Sequence, residues 1–398
     1  MVKRHVFIAL ILLLLLILAG CWDKKELNEL AIVTGLAIDK DDEDYKVTAQ
    51  VINPGEIAGQ TLTTRVAVST YEGTGRSIFE AIRQLTQTSP RKLYLAHLRL
   101  VVIDEELAEQ GLEKSLDFLS RDHEVRTDFY FLVSQENNAS SILKVLTPID
   151  KLPTNKIYSS IESSERVWAP TKGVHLDDLI STINAKGNNP VLTGIYATGD
   201  IEFGGSLENV EKIPSPTVLS LDHLGAFRGE KLVGWLNKNE SKGYSYITDN
   251  VQATVGVQPC KGGNVTLEIY QSKTDVKVME ANQKPKVIVT VSSDAAIGEI
   301  QCEDNILDDA RLKELEKQFG EQTRDILNQS INKAKELKTD IFGFGDKIHQ
   351  QNPKLWSRVK ENWNEEGFVE LDVEITSEYN IRRTGTIEES LQGKDEGG

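Results

Sequence analysis

The feature that most constrains this chain is its single long apolar run, Val6 to Leu18, after which no comparable stretch occurs in 398 residues. A membrane-spanning helix needs roughly 20 apolar residues, so this run is too short to span, while it suits the hydrophobic core of a signal peptide. Lys3 and Arg4 supply the positive start and Leu18-Ala19-Gly20-Cys21 follows directly. Small residues let an extended backbone enter a peptidase cleft, and the thiol of Cys21 is the one group there that accepts diacylglycerol as a thioether. The alternative, a secretory signal with an accidental cysteine, leaves the order of charge, apolar run, small residues and cysteine unexplained. The sequence therefore predicts a lipoprotein signal peptide at 1–20, lipidation at Cys21, and a body held by acyl chains on the outer face of a cytoplasmic membrane.

Everything beyond Cys21 must fold in water. Loss of Lys3 and Arg4 with the signal leaves 43 Lys+Arg against 61 Asp+Glu, a net charge of −18. Such a body is repelled by nucleic acid and by anionic headgroups, which excludes DNA binding and leaves attachment to the lipid.

Patterning predicts an α+β protein of two to three modules. An N-terminal module, 22–150, takes strands at Ala31–Ile38, Tyr45–Asn53 and Arg65–Tyr71 in meander order, and a helix at Ser77–Gln87. A buried strand at Leu93–Ile103, a helix at Glu105–Leu119 and a strand at Asp128–Val133 complete it. Pro148 and Pro153 mark a break before a small middle module, 151–215, with helices at Ile157–Arg166 and Leu176–Ala185 and a strand at Pro190–Thr198. A C-terminal module, 216–388, opens with a hairpin around Gly229-Glu230 and continues with strands near Val265–Ile269, Val276–Met279 and Val287–Val291. Leu312, Leu315, Phe319, Ile326, Leu327, Ile331, Ala334, Leu337 and Ile341 then form a helical stripe, read as packing on its own sheet. Val369 to Ile381 alternates apolar with polar residues, one face buried and one wet, so an antiparallel sheet crossed by one long helix is expected. Residues 389–398 read as a disordered tail.

A search for chemistry yields little. The six histidines include no i, i+4 pair, and His97 reads as a structural strand residue. Asp39 to Asp44 resembles a calcium loop but has Asp44 where glycine is needed and Gln50 where glutamate is needed, so an acidic hairpin is expected. Ser141-x-x-Lys144 and Ser357-x-x-Lys360 both match S-x-x-K without a K-T-G partner. No Walker loop, G-x-S-x-G or strand-linked G-x-G-x-x-G is present. Neither catalysis nor a cofactor or metal site is expected. Cys260 and Cys302 are an even pair once Cys21 is lipidated, and outside the membrane they are candidates for a disulfide or for two separate core thiols.

Four stretches in order resemble the Ger(x)C family, the lipoprotein C subunit of bacterial spore germinant receptors. They are Gly20 to Leu30 running into Ile38-Asp39 and Gln50–Pro54; His97 with Asp117–Asp122; Gly225-Ala226-Phe227 with Leu232–Leu236; and Asp340–Gly345 with Pro353–Trp356, Trp363 and Ile381–Gly385. The resemblance implies a non-enzymatic α+β body on the outer surface of the inner spore membrane. Its implied partners are an integral A subunit and a transporter-like B subunit. By class, the competing reading is the substrate-binding lipoprotein of an importer, which would show alternating strand–helix units in two similar lobes.

Overall fold

The computed structural model describes residues 4–5, 29–58, 65–303 and 308–383. Among them, thirteen strands form two sheets. The first begins as the meander expected from alternation: β1 (Leu30–Asp41), β2 (Asp44–Ile52) and β3 (Val68–Gly75) pair antiparallel, with Asp42 at positive φ in the acidic turn. The meander ends there. β4 (Lys92–Tyr94) and β5 (Leu100–Asp104) both run parallel to β1, and β6 (Tyr130–Ser134) and β7 (Val191–Thr198) continue in the same direction. The connections from β5 to β6 and from β6 to β7 carry helices long enough to cross over, which parallel pairing requires. β8 (Val218–Arg228) and β9 (Lys231–Leu236) finish the sheet antiparallel, in the order β3-β2-β1-β5-β6-β7-β8-β9.

Three expectations change here. The strand read at Leu93–Ile103 is two strands separated by a turn, and His97 is exposed in that turn and not part of a strand. The helix read at Glu105–Leu119 is two, α2 and α3 below, because Gly111 takes φ +128, outside the helical range. The hairpin at Gly229-Glu230 forms, but its strands close the first sheet, which thus runs across the boundary placed at 216.

Helices cover both faces of this sheet. α1 (Ile78–Gln84), α2 (Glu105–Gln110) and α3 (Glu113–Arg121) pack on one side with Leu36, Ile38, Val101, Phe129 and Phe131. α4 (Ala139–Lys144) and α5 (Pro153–Val167) pack on the other with Leu100, Val102 and Leu132, while α6 (Leu176–Asn184) returns to the first side. Ser77 caps α1 by accepting the Glu80 N–H, and Glu80 answers by accepting the Arg76 N–H.

A capping box at Asn237 starts α7 (Lys238–Ile247), which leads to the second sheet. There β10 (Thr254–Cys260), β11 (Gly263–Ala281) and β12 (Lys284–Ile300) are antiparallel, and β11 and β12 are far longer than the short strands expected. α8 (Asp309–Glu336) lies across them, its buried side holding Leu315, Phe319, Leu327, Ile331 and Ala334; Leu337 is its C-cap and Ile341 lies beyond it. Gly320 allows the helix to approach β13 (Asp372–Arg383) closely, since a Cβ there would sit 2.7 Å from the Ser377 carbonyl. β13 pairs with β12 parallel, not antiparallel, because some seventy residues containing α8, α9 (Phe344–Gln351) and α10 (Pro353–Val359) return the chain to its starting end. Alternation fixes which face of a strand is wet and leaves its direction open.

Candidate functional site

Several of the signature residues quoted from the C-terminal half, Gly225 to Phe227, Asp340 to Gly345, Trp356 and Trp363, converge on one place, the joint between the two sheets. Asp340 follows the Thr339 turn that ends α8 and is fully buried, at 0% exposure. A carboxylate in such a position needs donors on all sides. Its Oδ1 accepts the N–H groups of Phe342 and Phe344, at 3.1 and 3.2 Å, and its Oδ2 accepts those of Gly345 and the Trp363 indole, at 2.8 and 2.9 Å. Burial pushes the Asp340 carboxyl up to about 6, while the four donors pull the other way. The turn they enclose requires Gly343 at φ +70, and Gly345 sits where a Cβ would meet Gly187 Cα at 2.6 Å and Trp363 Nε1 at 2.7 Å. Phe342, Phe344, Trp356, Trp363 and Phe368 fill the surroundings, Phe342 and Phe344 at 5.2 Å and the two indoles edge-on at 5.4 Å.

The other half of the joint comes from the first sheet. Asn189 donates its backbone N–H to the Asp340 carbonyl at 2.8 Å and its amide to the same carbonyl and to Asn364 Oδ1, while its Oδ1 accepts the Gly229 N–H. Asp346 donates to the Gly187 carbonyl, and Thr339 Oγ1 to the carbonyl of Phe227. Thus Gly225-Ala226-Phe227 and Asp340 to Gly345, far apart in sequence, meet. Gly187, Asn189 and Asn364 were not singled out from the sequence. The turn-rich run Gly187-Asn188-Asn189-Pro190 is the one trace they leave, and it reports a loop without its partner. Arg228 and Lys338 both pair with exposed Glu365 at the rim, at 2.8 and 2.9 Å, contributing little in water.

The other candidate residues fall elsewhere. Cys21 lies outside the described residues. Cys260, ending β10, and Cys302, just after β12, are joined, with Cα atoms 5.6 Å apart and a sequence separation of 42. Asp39 is not at a metal loop: it is buried and accepts the Ser140 N–H, burial raising its carboxyl above the usual range. Lys144, of one S-x-x-K match, pairs with Glu72. Among the described residues, no group of three or more His, Cys, Asp or Glu is arranged to hold a metal ion, and no helix is long and apolar enough to cross a membrane. The joint binds the chain to itself: the Asp340 carboxylate and the Asn189 amide are spent on partners within it.

Comparison with known proteins matches the chain in two successive parts, and β9 of the first sheet lies in the second part. Residues 23–196 match the family described as spore germination protein N-terminal domain, and residues 222–385 match the one described as spore germination B3/GerAC like, C-terminal. The chain belongs to the Ger(x)C family. Spore germination protein KC of Bacillus subtilis (strain 168) is 34% identical over 394 residues, covering 97% of each chain. Spore germination protein B3 of the same organism is 28% identical, over 94% of this chain and 96% of its own. The crystal structure of the GerBC protein, 23% identical, covers 90% of this chain and 99% of that one with a TM-score of 0.53, a likeness of fold.

Proposed function

We propose that this Ger(x)C protein is the lipid-anchored, non-enzymatic subunit of a nutrient germinant receptor in the spore. In this reading Cys21 holds it on the outer surface of the inner spore membrane, where it acts through contacts with integral A and B subunits. The observation that carries the reading is the full-length match to spore germination proteins. The joint fits this reading: Gly225 to Phe227 and Asp340 to Gly345 tie the two sheets into a body that presents surfaces to partners. Anchoring to the same membrane as a partner raises the effective concentration of both, so weak contacts suffice.

Deleting the gene tests this reading. Germination on one set of nutrients should fail, while agents that bypass receptors should still trigger it; normal germination with loss of uptake of a single solute would instead favour the importer lipoprotein. Labelling with palmitate should mark the wild type and spare Cys21→Ala, and equal labelling of both would remove the anchor.

A further inference from the structure

A second surface, remote from the joint, is built to receive something. α1 and α3 lie side by side on the first sheet and leave between them an open cleft of about 980 Å³, closed at one end by Tyr45 of β2 and at the other by Lys92 and Glu124. Phe79 is 49% exposed in this cleft, its ring 6.1 Å from that of half-buried Phe118. Arg83 lies 4.8 Å over the Phe79 ring and Lys114 lies 5.7 Å from the centre of Tyr45. Aromatic rings and arginine, half exposed in a concave site, are the residues that dominate protein–protein contacts.

The charge within the cleft opposes that of the body. In a chain of net charge −16, this cleft is lined by five Lys or Arg and four Asp or Glu. The acids are largely engaged locally: Asp117 by Arg121 at 2.7 Å, Glu124 by Lys92, and Asp122 by the Glu124 N–H. Arg83 and Lys114 are left on the rings, presenting positive charge beside apolar surface. The net negative charge of the surrounding body disfavours an anionic lipid surface as the occupant.

Position narrows the occupant further. Lys92 at the cleft's end pairs with Leu30, the first residue of β1. Nine residues separate Leu30 from Cys21, a reach of about 30 Å at most. The cleft's Lys92 end is therefore within that reach of the lipid anchor of the proposed subunit.

We propose that the α1–α3 cleft docks an extramembrane segment of an integral membrane partner, with an apolar face set on Phe79 and Phe118 and acidic residues set against Arg83 and Lys114. This rests on the receptor-subunit reading and names the surface it uses. In spores making the full chain, a benzophenone amino acid replacing Phe79 should crosslink, on illumination, to an acidic, apolar-faced peptide of an integral membrane protein. The same probe at Met279, exposed on the β11–β12 hairpin, should not give that peptide. Adducts at position 79 to lipid or to a second copy of this chain, or the same peptide from both positions, overturn the proposal. Independently, Arg83→Glu with Lys114→Glu should lower co-purification of the integral partner at least tenfold with the circular dichroism spectrum unchanged. Equal recovery by wild type and variant overturns the cleft alone; failure of the wild type to recover any integral protein overturns the subunit reading and the cleft with it.

Discussion

The centre of the first sheet is apolar on both faces, whereas the second sheet keeps one face in water. Leu100, Val101, Val102 and Ile103 are all 0% exposed, because α1 to α3 cover one side of β5 and α4 and α5 the other. Along β12 the pattern alternates instead: Val287, Val289 and Val291 are buried under α8, and Lys286, Ile288 and Thr290 face outward, half exposed. The two sheets should therefore answer mutation differently. The first depends on packing from two sides, with no cysteine among its strands, and the second on packing from one side plus the Cys260–Cys302 link.

The comparison can be broken most directly in the first sheet. Phe131→Ala on β6 should cost roughly 4–5 kcal/mol of stability in urea, while Ile288→Ala on the wet face of β12 should stay within about 0.5 kcal/mol. Similar losses at both would mean the outer face of the second sheet is covered. Replacing Cys260 and Cys302 together by serine should cost about 4 kcal/mol, the chain entropy of a loop closed at a sequence separation of 42, and non-reducing peptide mass spectrometry of the purified protein should show the bond.

The joint sharpens the contrast through pH. The folded-state pKa of Asp340, about 6, lies above the ordinary 3.8, so the folded chain binds the extra proton between those values. Its penalty, about 3 kcal/mol, is present above pH 6 and disappears as pH falls below 4. Urea titrations at pH 7 and pH 4 should show wild type gaining that much relative to Asp340→Asn, whose side chain does not titrate; parallel changes would show that the four donors dominate. Smaller than the losses at Phe131, the cysteine pair and Asp340 is the local effect of Ser77→Ala, which removes the α1 cap and should cost about 1 kcal/mol.

How much of this was legible follows from the range of each interaction. Alternation in Tyr45 to Ile52 and along β13, and the stripe from Leu312 to Ala334, are local patterns, and they located strands, wet faces and the helix that packs on its own sheet. Strand direction and sheet membership depend on partners far along the chain, so the parallel pairing of β13 and the place of β8 and β9 in the first sheet were not readable. At the joint, Asp340 to Gly345 could be noticed as a motif. Nothing near Asn189 said that its amide would be spent 151 residues away.

That separation has a consequence for assembly. During synthesis the first sheet emerges with Gly187, Asn189 and the Phe227 carbonyl still lacking their partners, and Asp340 follows 151 residues after Asn189. Contacts this distant form late, after the loop entropy between them has been overcome. Until then both halves carry exposed polar backbone and the aromatic cluster around Trp363 stands open, the moment at which such a chain is most exposed to proteases and to aggregation. The joint is thus a checkpoint in time as well as a contact in space: the two sheets are tied together only when the segment from Thr339 to Asn364 has arrived.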